Sequence, residues 1–295
     1  MWNTSPRPLA PSLLSRLPDA LRRPRRTTWA DANRAGAPVD SFLEGPCFDS
    51  AGNLHCTDIP HGRIFRVSGA HWEAVAEYEG WPNGLAARGD DLLVADYRHG
   101  ILTLDPIAGG MAPLLETVLS EGFRGINDLI VNPDGSVLFT DQGQSGLQDP
   151  SGRVWRLHAD GRLDRLLDNG PSPNGLVMNR AGTHLMVAMT RSCEVWRFVL
   201  RADAVVAKAN LFFRVPAGTS GPDGMAVDPH DRLCIANPGH GQVWVVDPHG
   251  IATHHIDCTP FGRMPTNCTF APDGRTLVIT ESQSGSLLAA EIPPP

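Results

Sequence analysis

Residues 126–141 read Ile126-Asn127-Asp128-Leu129-Ile130-Val131-Asn132-Pro133-Asp134-Gly135-Ser136-Val137-Leu138-Phe139-Thr140-Asp141. Two apolar runs rich in Ile, Val, Leu and Phe flank Asp134-Gly135, a pair that closes hairpins, so the stretch reads as two antiparallel strands joined by a tight turn. The same grammar recurs along the chain: a Gly or Pro, a polar residue, a short apolar run, a turn, and a second apolar run. It opens at Leu43-Glu44-Gly45-Pro46, Pro82-Asn83-Gly84-Leu85, Pro173-Asn174-Gly175-Leu176, Pro222-Asp223-Gly224-Met225 and Thr266-Asn267-Cys268-Thr269. The polar anchors Glu44, Asn83, Asn127, Asn174, Asp223 and Asn267 follow one another at intervals of 39, 44, 47, 49 and 44 residues. Units of this length, each with about four strands, stack radially, so the spacing predicts an all-β, six-bladed β-propeller over residues 39–295.

Composition agrees with many turns and few helices, since 295 residues include 30 Gly and 26 Pro. All 25 basic residues except Lys208 are arginine. Lys208 lies in an apolar run with no Gly-rich phosphate loop, which argues against P-loop and Schiff-base chemistry. A net charge of −7 argues against nucleic-acid binding through phosphate neutralisation. Neither a secretory leader nor a membrane-spanning run is legible, and the six cysteines form no Cys-x-x-Cys pair. The expectation is a cytoplasmic protein with reduced thiols and no membrane or nucleic-acid partner. Residues 1–38 fall outside the repeat. Leu13, Leu14, Leu17 and Leu21 have helix-like spacing and predict a short helix packing on the propeller as an N-terminal extension.

In a propeller, equivalent positions of every blade point to the axis, so the six anchors converge. Asn at a strand start can simply make a turn, which accounts for Asn83 and Asn267, but Glu is a poor turn former and Glu44 asks for another reason. Carboxylates and carboxamide carbonyls are hard oxygen donors suited to Ca²⁺, and also to Mg²⁺ or Mn²⁺. No anchor is a histidine, so Zn²⁺ is the weaker expectation. A divalent metal on Glu44, Asn127, Asn174 and Asp223 would keep open positions, the arrangement of a catalytic Lewis acid. No Gly-x-Ser-x-Gly elbow supports a serine hydrolase.

Taken together, Leu43-Glu44-Gly45-Pro46, Ile126-Asn127-Asp128-Leu129, Pro173-Asn174-Gly175-Leu176, Gly221-Pro222-Asp223-Gly224-Met225 and Leu277-Val278-Ile279-Thr280-Glu281-Ser282 resemble the regucalcin/gluconolactonase family of six-bladed propellers, over roughly residues 40 to 292. The resemblance implies a divalent-metal-dependent hydrolase of small lactones. It places Glu44, Asn174 and Asp223 on an axial metal, Asn127 on the metal or the substrate, and makes Asp223 the general base. Sugar-lactone members carry an Arg two residues before the third anchor; here that position is Gly125, which leaves Arg124 as the nearest candidate contact. Where members often have Ala-Glu-Thr, this chain has Ala188-Met189-Thr190, which implies a more apolar pocket at Met189. Arg124, Met189, Asn83 and Asn267 are therefore the expected substrate contacts. Two other readings stay open: phosphotriester hydrolysis at a similar axial site, and a propeller that binds calcium, a ligand or a protein without catalysis.

Overall fold

The structure, a computed structural model, describes residues 5–201 and 205–295. Six sheets surround a central axis, and the inner strand of each lies against the inner strand of the next in a closed ring. These inner strands are Leu43–Phe48, Pro82–Arg88, Ile126–Val131, Pro173–Met178, Met225–Val227 and Pro265–Phe270. Five of them open one or two residues before an anchor and the fifth-blade strand opens two residues after Asp223, so the repeat in the sequence is the repeat of the blades.

Within a blade the strands run outward as an antiparallel meander. The third blade is Ile126–Val131, Val137–Asp141, Gly152–Leu157 and Leu163–Gly170. Alternation along its strands sends side chains to both faces, and both faces are covered by neighbouring blades. The core accordingly divides into six apolar layers, one between each pair of consecutive blades. Five of the six cysteines are buried, and all six are free thiols. Lys208 is exposed on the outer strand Val206–Arg214 of the fourth blade. No helix among the described residues is long and apolar enough to cross a membrane.

The N-terminal extension departs from expectation. Leu13 and Leu14 lie on a strand, Ser12–Arg16, that pairs antiparallel with Ser286–Glu291 and completes the sixth blade. Arg7–Leu9 pairs in parallel with Ala252–Asp257 on the fifth. Prolines explain the failure of the helix: Pro11 and Pro18 leave too few residues between them, while the edge of Ser286–Glu291 offers a full row of unpaired backbone groups. Leu17 is 1% exposed and belongs to the layer between the sixth and first blades, with Leu43, Phe65 and Leu287. Ser15 donates to the carbonyl of Gly69 at 2.6 Å and accepts from the Trp72 indole at 2.8 Å, which ties the strand to the first blade as well. A short helix does form further on, at Thr28–Asn33. The Thr27 hydroxyl caps it by accepting from the Ala30 amide at 3.1 Å, and Trp29 and Ala30 bury against Ile59, Val39, Phe42 and Trp81.

Candidate active site at the propeller axis

Five of the inner strands carry a bulge where their anchors sit: the register shifts between Glu44 and Cys47, Pro82 and Leu85, Ile126 and Leu129, Pro173 and Leu176, and Pro265 and Asn267. A bulge turns a side chain out of the pleat, here toward the axis. In the fifth blade Asp223 precedes the strand instead. Its amide donates to Ala236 at 2.9 Å, and the Ala236 amide donates to Gly224 at 3.0 Å. The strands crowd at this level. Gly45 has φ +48° and an added Cβ would meet the Asn83 carbonyl at 2.2 Å; one on Gly84 would meet Asp128 Oδ1 at 2.0 Å. Glycine after the anchor is thus required by the close approach of the next blade.

Glu44, Asn83, Asn127, Asn174 and Asp223 line one cavity of about 180 Å³. Asn127 Nδ2 donates to Gln142 Oε1 at 3.0 Å, and Gln142 Nε2 donates to the Ser172 hydroxyl at 2.9 Å, which leaves the Asn127 carbonyl as its free acceptor. Asn174 lies beside Asp223 and favours its charged form. Asn267 plays a different part. Its Nδ2 donates to Glu44 Oε2 at 2.8 Å, while its Oδ1 accepts from the Cys268 amide at 2.8 Å. Both ends of that carboxamide are committed, so Asn267 orients Glu44 from beneath rather than lining the cavity. Glu44 Oε2 also accepts from the Gly45 amide at 2.6 Å.

A third carboxylate, Asp128, completes the cluster; reading the anchors alone misses it. It stands where four other blades have the glycine that follows the anchor, and that substitution is the signal the sequence offers. Burial pushes the Glu44 carboxyl up to about 7, against hydrogen bonds from Gly45, Asn267 and Thr266. Burial and then the Glu44 charge push Asp128 up to about 8. Asp223 is raised well above the usual carboxylate range by burial, Glu44 and Asp128, with Asn174 and the Arg191 charge pulling the other way. Three acids held out of water beside one another favour the proton, or any cation that replaces it.

The remaining walls come from loops. Trp29 and Asn33 of the N-terminal helix, the pair Trp81 and Tyr97 with ring centroids 5.3 Å apart, Gln144 and Arg191 surround the mouth. None of these was expected from the sequence. Besides Asn267, two more expected contacts lie elsewhere. Met189 is 0% exposed and packs with Leu138, Val154 and Phe198 between the third and fourth blades, because it continues the alternation of its strand into the core. Arg124 is exposed, with its guanidinium 4.0 Å from Asp149, and does not line the cavity.

The profile of the SMP-30/Gluconolactonase/LRE-like region matches residues 42–283. The chain belongs to that family. Similar proteins include a gluconolactonase of Zymomonas mobilis, 30% identical over 248 residues, which cover 78% of this chain and 65% of that protein. The chain thus spans a little under two thirds of that relative's length. A diisopropyl-fluorophosphatase of Loligo vulgaris is 27% identical over 277 residues, covering 83% of this chain and 87% of that one. Among solved structures, a gluconolactonase from Xanthomonas campestris superposes with a TM-score of 0.75 at 25% identity, over 98% of this chain and 99% of that one. Against the SMP-30/gluconolactonase profile, the matched region spans all six anchors and the Asp128 cluster and begins after the helix that supplies Trp29.

Proposed function

We propose that this member of the family hydrolyses a lactone in the axial cavity. The observation that carries the reading is the convergence of Glu44, Asn127, Asn174 and Asp223 on one small cavity, in a chain similar to proteins named gluconolactonase.

The donor set fits a divalent cation. No histidine or cysteine is among the residues that line the cavity, so carboxamide carbonyls stand beside the carboxylates as its donors. Glu44, Asp223, Asn127 and Asn174 supply such a set of hard oxygens, which suits Ca²⁺. Bound there, the ion would supply Lewis-acid polarisation of the ester carbonyl. Asn267 holds Glu44 and Gln142 holds Asn127 in the geometry the donors need. Asp223, the one acid beside Glu44 in the cavity lining, accepts the proton of the attacking water. Trp81, Tyr97 and Trp29 limit the water that reaches the ring.

Chelation should abolish turnover of a lactone panel and added Ca²⁺ should restore it, while Asp223→Ala should lower kcat by roughly 10²- to 10⁴-fold. Turnover that survives both exhaustive chelation and Asp223→Ala rejects the proposal. The similarity to a diisopropyl-fluorophosphatase supports a second reading, phosphotriester hydrolysis in the same cavity; an organophosphate assayed beside the lactones separates the two.

A further inference from the structure

We infer that Arg191 is the anion-recognising residue of this cavity and that the ester opened there is a lactone carrying a carboxylate. The inference rests on the lactonase reading for the reaction, though not for the recognition.

Arg191 is the one Lys, Arg or His among the residues that line the cavity. It makes no ion pair within 4.0 Å among the described residues, although the chain carries 32 acids and its charge is felt at Asp223. Its backbone is not a free loop. Arg191 is the middle residue of a single turn, Thr190–Ser192, fastened on three sides. The Thr190 amide donates to Ser172 at 3.0 Å, the Arg191 amide to Pro171 at 3.3 Å, and the Thr190 hydroxyl to Pro222 at 2.8 Å. Cys193 closes the turn in a left-handed conformation, φ +58°, a cost that a non-glycine residue bears only where the surroundings impose it. The first blade has the corresponding turn, Ile59–His61, but there the middle residue is a buried proline, Pro60. The fourth blade therefore presents a guanidinium from a rigid platform into the mouth of the site.

Chemistry then narrows the ligand. A carboxylate on the substrate would need a positive partner clear of the acidic ring, and Arg191 is the one that the lining offers. A planar guanidinium with unused donors matches a carboxylate bidentately. The aromatic pair Trp81 and Tyr97 offers an apolar wall to the carbon face of a ring, and about 180 Å³ suits a single small ring.

The test uses two matched pairs on the Ca²⁺-loaded protein. The first is a γ-butyrolactone with a ring carboxylate against its primary amide, read as kcat/KM. The second is the corresponding cyclic ether carboxylate, which cannot be hydrolysed, against its amide, read as Kd by calorimetry. The carboxylate should be preferred in both pairs by roughly 10- to 100-fold, the usual worth of a hydrogen bond to a charged group, with the lactone difference carried by KM. Arg191→Gln should bring both ratios toward one, and Arg191→Lys should recover part of them. Equal binding of carboxylate and amide, a preference that persists in Arg191→Gln, or no binding of the ether carboxylate at millimolar concentration overturns the inference. If the ether pair behaves as expected and no lactone is opened, the lactonase reading fails while the recognition stands. If lactones are opened without discrimination, the recognition fails alone.

Discussion

Asp128 shows how one side chain can set the character of a site. It occupies the position after the third anchor, above Gly84, where any side chain on the second blade would collide with it. Its Oδ1 accepts from the Leu129 amide at 2.8 Å, and the charge of Glu44 adds to burial in holding its proton up to about 8. Near neutral pH the cluster thus keeps a proton unless a cation arrives to replace it. Asp128→Asn keeps the shape and removes the charge. In cation-free protein at pH 8 it should stabilise the fold by a few kcal/mol, since each pKa unit by which the folded state holds the Asp128 proton more tightly is worth about 1.4 kcal/mol, and it should shrink the stabilisation that Ca²⁺ adds. Thermal or urea unfolding with and without Ca²⁺ checks both. A variant that loses stability without the ion while keeping the full response to it would show that Asp128 is a structural acid with no part in cation binding.

The strand Ser12–Arg16 joins the two ends of the chain, since Ser12 stands opposite Ala289 and Leu13 opposite Leu288. Closing the ring with a strand from the other terminus covers the sixth blade's outer edge and removes a surface on which chains aggregate. Its tail end is core: Leu17→Ala should cost about 2–5 kcal/mol, like any buried leucine. Leu13→Ala, at a residue 51% exposed, should change stability by no more than about 0.5 kcal/mol. Equal urea midpoints for the two variants would mean that the extension only rests on the propeller. This element also marks the limit of what was legible. The anchors could be read because a blade is a local unit and its repeat is written along the chain. A pairing between residues near 12 and near 289 leaves no local period, and Leu13, Leu14 and Leu17 matched a helical spacing by coincidence. Trp81 and Tyr97 lie outside the strands, and Arg191 lies on a turn whose first-blade counterpart carries Pro60 instead, so no repeated residue could point to them. Met189 failed in the opposite way, because reading its place in a motif ignored the strand alternation that turns it into the core.

At the scale of the molecule, the axis is polar at the level of the anchors and apolar beyond them, where Cys47, Leu85, Val177 and Phe270 line a second cavity of about 390 Å³. Asp128 and Asn267 stand between the two halves, so the carboxylate cluster is the most desolvated charge in the ring's centre. That placement links proton binding to folding. Glu44 and Asp128 have folded-state pKa values raised to about 7 and about 8, above the ~4 of an unfolded carboxyl. The folded protein therefore binds more protons than the unfolded chain between those limits, and its stability falls as pH rises through them. Three histidines act in the other direction: His55, His61 and His254 are all shifted down by desolvation, so their contribution grows as pH rises toward 6.5 and is complete above it. The window from about pH 6.5 to 8 isolates the carboxylates. In it, cation-free protein should lose stability as pH rises, by a few kcal/mol at most, and the slope should flatten both in Asp128→Asn and under saturating Ca²⁺. Calcium should accordingly raise Tm more at pH 8 than at pH 6.5. A Ca²⁺ response that is independent of pH over this window would mean the ion binds somewhere other than the axial acids.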